Sequence, residues 1–182
     1  MVPEAPLTDD GAGLVPAGPG WFVLNAREAR WRDHPDDVAT CVFEDENARF
    51  EQLGINLNVL EPGQPLSMYH YEVDQEDFLV LAGEALLIVE GEERPLRQWD
   101  FVHCPQRTAH VIIGAGSGPC VVLAVGARVE SMGENWGAYT VAEAAIRHGA
   151  GVEEETSSQA VAYAAWPKRE LTRYREGWLP DL

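Results

Sequence analysis

The sequence predicts an all-β fold, an antiparallel barrel or sandwich, for the middle of the chain. Between Leu66 and Val125, turn signals separate short apolar runs: DFLVLAGE, ALLIVEGEE, DFVHCP, HVIIGAGSG and CVVLAVG. The turns recur roughly every ten residues and no run has the helical period, which is typical of barrels and sandwiches. At 182 residues the chain is long enough for one domain with a substantial core.

The segment before this region divides into an arm and a strand. Residues 1–20 are rich in Gly, Pro and Asp and poor in large apolar groups, so they predict a mobile or surface-draped arm, with order beginning near Trp21. The stretch GINLNVL then alternates apolar residues with Asn56 and Asn58, which predicts a strand with one wet face. The predicted barrel therefore covers residues 21–126.

The pattern changes after Arg128. In TVAEAAIRHG, Thr140 and Glu143 have the spacing of a capping box and Gly149 follows the end, which predicts a short capped helix. A second short helix is expected in SSQAVAYAA, ending before Pro167. The aromatic residues of the tail predict that residues 127–182 pack on the barrel or on a partner.

Charge and cysteine usage exclude several classes of function. The net charge of -17, from 30 acidic and 13 basic residues, disfavours nucleic acid and anionic membrane surfaces as partners. The sequence contains no signal peptide pattern and no apolar run of membrane-spanning length, so we expect a cytoplasmic protein. Three cysteines without C-x-x-C spacing predict buried thiols rather than disulfides or a thiolate metal site.

The stretch MYHYEVDQED contains the candidate site residues. In a strand, side chains alternate between faces, so His70 and Glu72 would share one face about 7 Å apart along the backbone. That arrangement suits two ligands that converge on one ion. Glu76 follows four residues after Glu72, and WDFVHCPQRTAH places His110 five residues after Pro105.

These two blocks resemble the two sequence motifs of the cupin superfamily. The first motif has a Gly, a His-x-His pair, a Glu and a Gly, and the second is Pro-x-Gly-x-x-His. The resemblance covers roughly residues 52–126, with the motifs within residues 62–114, and it is closest from Glu76 to Gly83. It implies a double-stranded β-helix, a jelly-roll barrel with the site in its mouth, here followed by short C-terminal helices.

The resemblance also implies a ligand set. Glu76 corresponds to the metal-binding glutamate of the family and His110 to its last metal-binding histidine, while His70 matches the first histidine and Glu72 replaces the second. In an alternative alignment, shifted by one residue, Tyr69 and Tyr71 take the places of His70 and Glu72, and the two alignments exclude each other. We prefer the alignment with His70, Glu72, Glu76 and His110 as metal ligands.

Three other positions depart from the family pattern. Arg107 and Trp99 replace glycines, and Gly114 replaces an asparagine. If the position of Arg107 requires a positive φ, a residue other than glycine is disfavoured there by about 1 kcal/mol. His103 and Cys104 are adjacent in the predicted strand of the second motif. Their side chains must point to opposite faces, so at most one of them enters the barrel.

Nitrogen and oxygen ligands of this kind suit a divalent transition metal such as Fe, Mn, Ni or Zn. Three functions remain open: a metal-dependent enzyme, such as an oxygenase or isomerase, acting on a small polar metabolite; a non-catalytic small-molecule sensor or carrier; and a metal-free isomerase or epimerase that uses a His and Tyr pair.

No catalytic residue is assigned. Arg94, Arg97 and Arg107 are the candidates for a positive pocket, and a homodimer is expected because small open barrels have exposed edges.

Overall fold

The computed structural model describes residues 1–34, 38–130 and 135–181. Its two helices are α1 (Glu143–Arg147) and α2 (Gln159–Ala162). The strands are β1 (Leu7–Asp9), β2 (Leu14–Pro16), β3 (Arg30–Asp33), β4 (Ala39–Val42), β5 (Leu53–Leu60), β6 (His70–Glu72), β7 (Glu76–Ala82), β8 (Glu84–Val89), β9 (Glu92–Arg97), β10 (Phe101–Cys104), β11 (His110–Ala115), β12 (Cys120–Ala127), β13 (Gly137–Tyr139) and β14 (Glu170–Arg173).

The strands form two large antiparallel sheets and one small hairpin. The larger sheet has the order β10-β7-β12-β5-β4-β3-β14, and the smaller sheet has the order β13-β6-β11-β8-β9. Non-consecutive strands are neighbours in both sheets, as expected when a chain winds back and forth between two facing sheets. The predicted all-β fold class, a jelly-roll barrel with short C-terminal helices, is confirmed.

The barrel interior is filled at one end and open at the other, as the pairing of β5 with β12 shows. The interior positions follow the register Leu60↔Cys120, Asn58↔Val122, Asn56↔Ala124 and Gly54↔Gly126. Large apolar side chains close the first end, where Leu60, Cys120 and Val122 belong to the main core. Smaller and polar side chains at the other end leave space for a cavity.

The predicted strand GINLNVL is present as β5, but its polar face does not lie on the outer surface of the protein. Asn56 and Asn58 line the interior cavity, and Asn58 is only 3% exposed. The apolar residues Leu57 and Val59 face outward and are buried beneath other elements. In a half-exposed sheet, the apolar residues face the interior and the polar residues face the solvent. Here the polar residues face the interior and the apolar residues face outward, because both faces of this strand are covered.

The outer face of the larger sheet is covered by the C-terminal tail. Trp31 of β3 is fully buried, with its ring centroid 4.8 Å from that of Trp178 and 6.0 Å from that of Tyr174. Strand β14 extends the sheet by pairing with β3, from Glu170↔Asp33 to Arg173↔Arg30. The tail is thus part of the larger sheet, and it brings residue 169 to the barrel.

The outer face of the smaller sheet is covered by α1. Both predicted helices form, but the predicted capping box at Thr140 and Glu143 is wrong. Helix α1 begins at Glu143, and its N-cap is Ala142, which makes no side-chain capping hydrogen bond. Ala144 and Ala145 are buried against this sheet, so we infer that packing rather than local capping determines where the helix begins.

No helix in the described residues has the length and apolar character needed to cross a bilayer.

Residues 1–20 contain a hairpin that the sequence did not predict. Strands β1 and β2 pair with each other, and the amide of Leu14 donates to the carbonyl of Glu28. Secondary structure therefore begins before Trp21. The strands are only three residues long, too short for period-two alternation to show in the sequence.

Candidate functional site

Two histidines lie side by side on neighbouring strands of the smaller sheet. His70 of β6 pairs directly with His110 of β11, and their ring centroids are 5.3 Å apart. The Nδ1 atom of His70 lies 2.7 Å from the carbonyl oxygen of Met68, and that of His110 lies 2.9 Å from the carbonyl oxygen of Thr108. Because a carbonyl can only accept, each Nδ1 carries the hydrogen, and each Nε2 is the nitrogen available to a ligand or proton.

Glu76 joins the two histidines from the facing sheet. Its Oε2 atom lies 3.3 Å from Nε2 of His110 and 3.6 Å from Nε2 of His70. The ligand atoms of these three residues, which we call the metal-ligand cluster, all lie within 4.8 Å of one another. The sequence-predicted ligands His70, Glu76 and His110 are thus brought together.

The donor set of the metal-ligand cluster fits a divalent cation. Glu76 Oε2 and His110 Nε2 are buried, yet neither has a hydrogen-bond partner within the described part of the chain. They are close together but not aligned to bond each other, as expected for atoms that face a common centre. Two ligands each about 2.1 Å from one ion lie roughly 3.0 to 3.5 Å apart, similar to the observed separations.

Glu72, the fourth predicted ligand, lies beside the metal-ligand cluster rather than within it. Its Oε1 atom is 3.8 Å from His70 Nε2, and both residues line the cavity. Tyr69 points to the opposite face, where it is buried under α1 and its hydroxyl accepts from the amide of Gly91 at 3.0 Å. The structure therefore has the alignment in which His70 and Glu72, not the tyrosines, face the interior.

Burial and mutual charge perturb the ionisation of this group. Burial, and then the charge of Glu76, raise the pKa of Glu72 to about 7. Burial also acts to raise the pKa of Glu76, but the neighbouring imidazoles of His110 and His70 outweigh it and hold that pKa below its usual range. Burial acts to lower the pKa of His110, whereas Cys104 and Glu76 raise it to about 10. The site thus keeps a carboxylate ionised deep in the barrel.

Two turns keep the backbone conformation that glycine usually provides. Arg107 has φ 66° and Trp99 has φ 75°, so both positions that depart from the family glycines are in the left-handed region. The amide of Arg107 donates to the carbonyl of Glu72 at 2.7 Å, which joins the turn before His110 to the strand of His70. A side chain at Gly114 would place Cβ 2.2 Å from the carbonyl oxygen of Glu61, so asparagine is excluded there.

The cavity above the metal-ligand cluster has a volume of about 510 Å³. One wall is aromatic and comes from the C-terminal region: Trp136, Tyr139 and Tyr163 line it, with the Trp136 and Tyr139 rings 5.1 Å apart. This volume is in the range of small-molecule sites. The sequence did not predict these aromatic residues as part of the site because they lie outside the two motifs.

The arginines of the cavity are also different from those expected. Arg94, Arg97 and Arg107 are exposed and do not line it. The lining arginines are Arg49, Arg128 and Arg169, which are far apart in sequence. Arg128 binds both carboxylate oxygens of Glu44, at 2.6 and 2.8 Å, and the carbonyl of Phe50 at 2.8 Å, so its charge is matched within the wall.

The Arg128 and Glu44 pair gives a pH-dependent prediction. Burial acts to raise the pKa of Glu44, but Arg128 and the amide of Phe50 hold it below the usual 4.5. Because the folded-state pKa is depressed, the pair contributes fully above the unfolded-state pKa and its contribution is lost as pH falls through the folded-state pKa. We expect Glu44→Gln to lower the free energy of unfolding by about 2 kcal/mol at pH 7, and by less at pH 3, in urea titrations.

The matched control is Glu93→Gln, which removes an exposed pair with Arg147 and should change stability little. An equal loss for Glu44→Gln at both pH values would show that the ionised Glu44 carboxylate does not stabilise the fold through Arg128.

His103 and Cys104 lie on opposite faces of β10, as the sequence requires. Cys104 is buried in the barrel core, whereas His103 is on the outer face with its Nδ1 atom 2.6 Å from Asp77 Oδ1. His103 is therefore outside the site. Cys41 and Cys120 are also buried, so all three thiols are free and covered, as predicted.

The fold and the site together define a class: a double-stranded β-helix with a His/Glu group in its mouth that could hold a divalent metal. Residues 56–126 match the family described as Cupin domain. This part of the chain is therefore a cupin domain.

Solved structures with the same fold carry different descriptions. The polyketide cyclase RemF from Streptomyces resistomycificus is 11% identical over 60% of this chain and 80% of that chain, with a TM-score of 0.52. A Thermotoga maritima protein described as a predicted oxalate decarboxylase is 19% identical over 59% of this chain and 100% of that chain, also with a TM-score of 0.52. These identities show the fold alone.

A sugar phosphate isomerase from a cupin superfamily, from Silicibacter pomeroyi, is 28% identical over 52% of this chain and 61% of that chain, with a TM-score of 0.46. The chain thus spans about three fifths of the length of that protein. Among curated proteins, none matches this sequence significantly.

Proposed function

We propose that this protein is a metal-dependent enzyme that acts on a small polar metabolite in the barrel cavity. His70, Glu76 and His110 would hold a divalent transition metal, with Glu72 beside them as a fourth ligand. The single observation that carries the proposal is the pair of buried atoms Glu76 Oε2 and His110 Nε2, 3.3 Å apart without a hydrogen-bond partner in the described residues. A charged pair that is buried without a well-formed hydrogen bond is costly, and a cation that replaces the proton of His110 would satisfy both atoms.

The surrounding residues support a site that is prepared before the ion arrives. The carbonyls of Met68 and Thr108 fix the orientation of both imidazoles and keep Nε2 of each directed at the common centre. The cross-strand pairing of β6 with β11 fixes the distance between them. Little reorganisation is then needed when an ion binds.

A divalent ion in this position supplies Lewis acidity toward an oxygen of a bound metabolite. The chain itself supplies the rest of the site. Trp136 and Tyr139 form a wall against which carbon atoms can pack, and the filled core below the cluster excludes water from one side. Glu72, whose Oε1 atom lies 3.8 Å from His70 Nε2, would add a carboxylate oxygen to the coordination of the ion.

Metal content and its effect on stability test the proposal. Untagged protein is expected to contain about one transition metal ion per chain by plasma mass spectrometry. Removal by a chelator should lower the melting temperature, and addition of Mn(II), Fe(II), Ni(II) or Zn(II) should restore it, because an ion that binds only the folded state stabilises it. Protein with negligible metal and no thermal response to any of these ions would contradict the proposal.

One observation favours the metal-free alternative as a second candidate. Tyr139 lines the cavity with its ring centroid 5.8 Å from that of His70, and burial, with Tyr163 beside it, raises the pKa of its hydroxyl, so it stays protonated as a general acid would. A His and Tyr pair of this kind predicts activity that survives chelation and is lost in Tyr139→Phe. The metal-dependent proposal predicts the opposite response to chelation.

A further inference from the structure

The aromatic wall of the cavity is continuous with the metal-ligand cluster. In the smaller sheet, Tyr139 of β13 pairs with His70 of β6, which in turn pairs with His110 of β11. These three cavity-lining side chains form one cross-strand row, on strands about 4.8 Å apart. The ring of Trp136 lies beside the row, with its centroid 5.1 Å from that of Tyr139 and 6.0 Å from that of His70. A group packed on Trp136 and an ion at the cluster are therefore within reach of one small molecule.

The side chain of Trp136 is held in place but is not covered. Its Nε1 atom donates to the carbonyl oxygen of Ser157 at 3.1 Å, and its backbone carbonyl accepts from the amide of Val73 at 2.8 Å. The ring packs on Tyr139, which is only 4% exposed, whereas Trp136 itself is half-buried and lines the cavity. Because its neighbours already fix this ring, little conformational freedom is lost when a ligand packs on it.

The polar atoms of this wall bond within the protein. The hydroxyl of Tyr163 accepts from the amide of Met68 at 3.0 Å, and the hydroxyls of Tyr139 and Tyr163 bond each other. With Nε1 bonded to a backbone carbonyl, the surface that Trp136 offers to a ligand is carbon and its π-electrons. Sugar hydroxyls placed there would find no hydrogen-bond partner on the indole, whereas an aromatic ring gains from contact with another ring.

We propose that the metabolite is a small aromatic compound whose ring packs on Trp136 while an oxygen attached to that ring reaches the metal-ligand cluster. This inference rests on the proposed function, because it assigns the substrate class of the same cavity. Trp136 is then a specificity-determining residue that lies outside residues 56–126, the part of the chain that matches the cupin family.

Calorimetric titration of the metal-loaded protein with matched pairs of six-membered rings tests this inference. The pairs are benzoate with cyclohexanecarboxylate, and phenol with cyclohexanol, so the two members of a pair share the oxygen group and differ in the ring. Glucose is the polar ring for comparison. In at least one pair, the aromatic member is expected to bind roughly three- to tenfold more tightly than the saturated one.

Variants of Trp136 show whether this preference comes from the wall. Trp136→Leu should remove the preference, and Trp136→Phe, which keeps a ring, should retain it. The matched control is Trp99→Leu, which makes the same change at a tryptophan that is 68% exposed and lies outside the cavity. It should bind all probes like the wild type.

The comparison of the two pairs in the wild type needs no variant, so it decides the matter even if Trp136→Leu does not fold. The inference is overturned if neither aromatic probe binds, if both saturated probes bind as tightly as their aromatic partners, or if glucose binds more tightly than both aromatic probes. A folded Trp136→Leu protein that keeps the wild-type preference also overturns it.

Metal analysis of the same samples separates this inference from the proposed function. Loss of the aromatic preference in Trp136→Leu with full metal content affects the aromatic wall alone. If the wild type binds no metal but still prefers the aromatic probes through Trp136, the metal-dependent function fails while the assignment of the aromatic ligand stands.

Discussion

Replacement of His110 by alanine is expected to reduce bound transition metal from about one ion per chain to a negligible amount. His110 is almost completely buried, and its Nε2 atom is 3.3 Å from Glu76 Oε2. Its loss removes one nitrogen ligand and leaves the Glu76 carboxylate without its nearest imidazole. Glu76→Gln should have a similar effect on metal content, since it keeps the shape of the side chain but removes its charge. Plasma mass spectrometry after gel filtration measures both.

His103→Ala is the matched control for this prediction. It removes an imidazole from the neighbouring part of the same barrel, but His103 is on the outer face beside Asp77. Its metal content should equal that of the wild type. Full metal content in folded His110→Ala and Glu76→Gln proteins would refute the assignment of these ligands.

A chain that ends at Ala165 is expected to lose much of its stability. The deletion removes β14 and the side chains of Tyr174 and Trp178, which cover the fully buried Trp31. Burial of one large side chain is worth roughly 1.5 to 3 kcal/mol, so the tail contributes about 4 kcal/mol or more. For a chain of this size we expect the melting temperature to fall by roughly 10 °C or more.

Two point variants show whether this loss comes from packing. Trp178→Ala should give a large part of the effect, because its ring lies 4.8 Å from that of Trp31. Leu171→Ala changes an apolar residue of the same tail that is 51% exposed, so it should have little effect. An unchanged melting curve after truncation would show that the tail does not stabilise the barrel.

The sequence was informative where local alternation decides the geometry. His70 and Glu72 are two residues apart on one strand, so they had to share a face, and the cross-strand partner His110 completes the pair of imidazoles. The sequence alone did not decide whether this pair or the two tyrosines face the barrel interior. Tyr69 is suited to the outer face because its ring packs under α1 while its hydroxyl accepts from Gly91.

The remaining parts of the site depend on contacts between distant segments. Arg169 reaches the cavity because β14 pairs with β3, and Thr40 and Asn58 meet it there from two other strands. No local sequence pattern indicates that these three residues come into contact. The polar residues of GINLNVL were likewise ambiguous, because a polar face fits a cavity wall as well as an outer surface.

Anomalous X-ray diffraction at a transition-metal edge, from crystals of untagged protein, shows directly whether His70, Glu76 and His110 hold a metal ion. We expect one strong anomalous peak about 2.0 to 2.3 Å from Nε2 of His70, Nε2 of His110 and a carboxylate oxygen of Glu76. Crystals of metal-supplemented protein that show no peak among these three residues, or a peak at a surface pair such as His103 and Asp77, would contradict the assignment of these ligands.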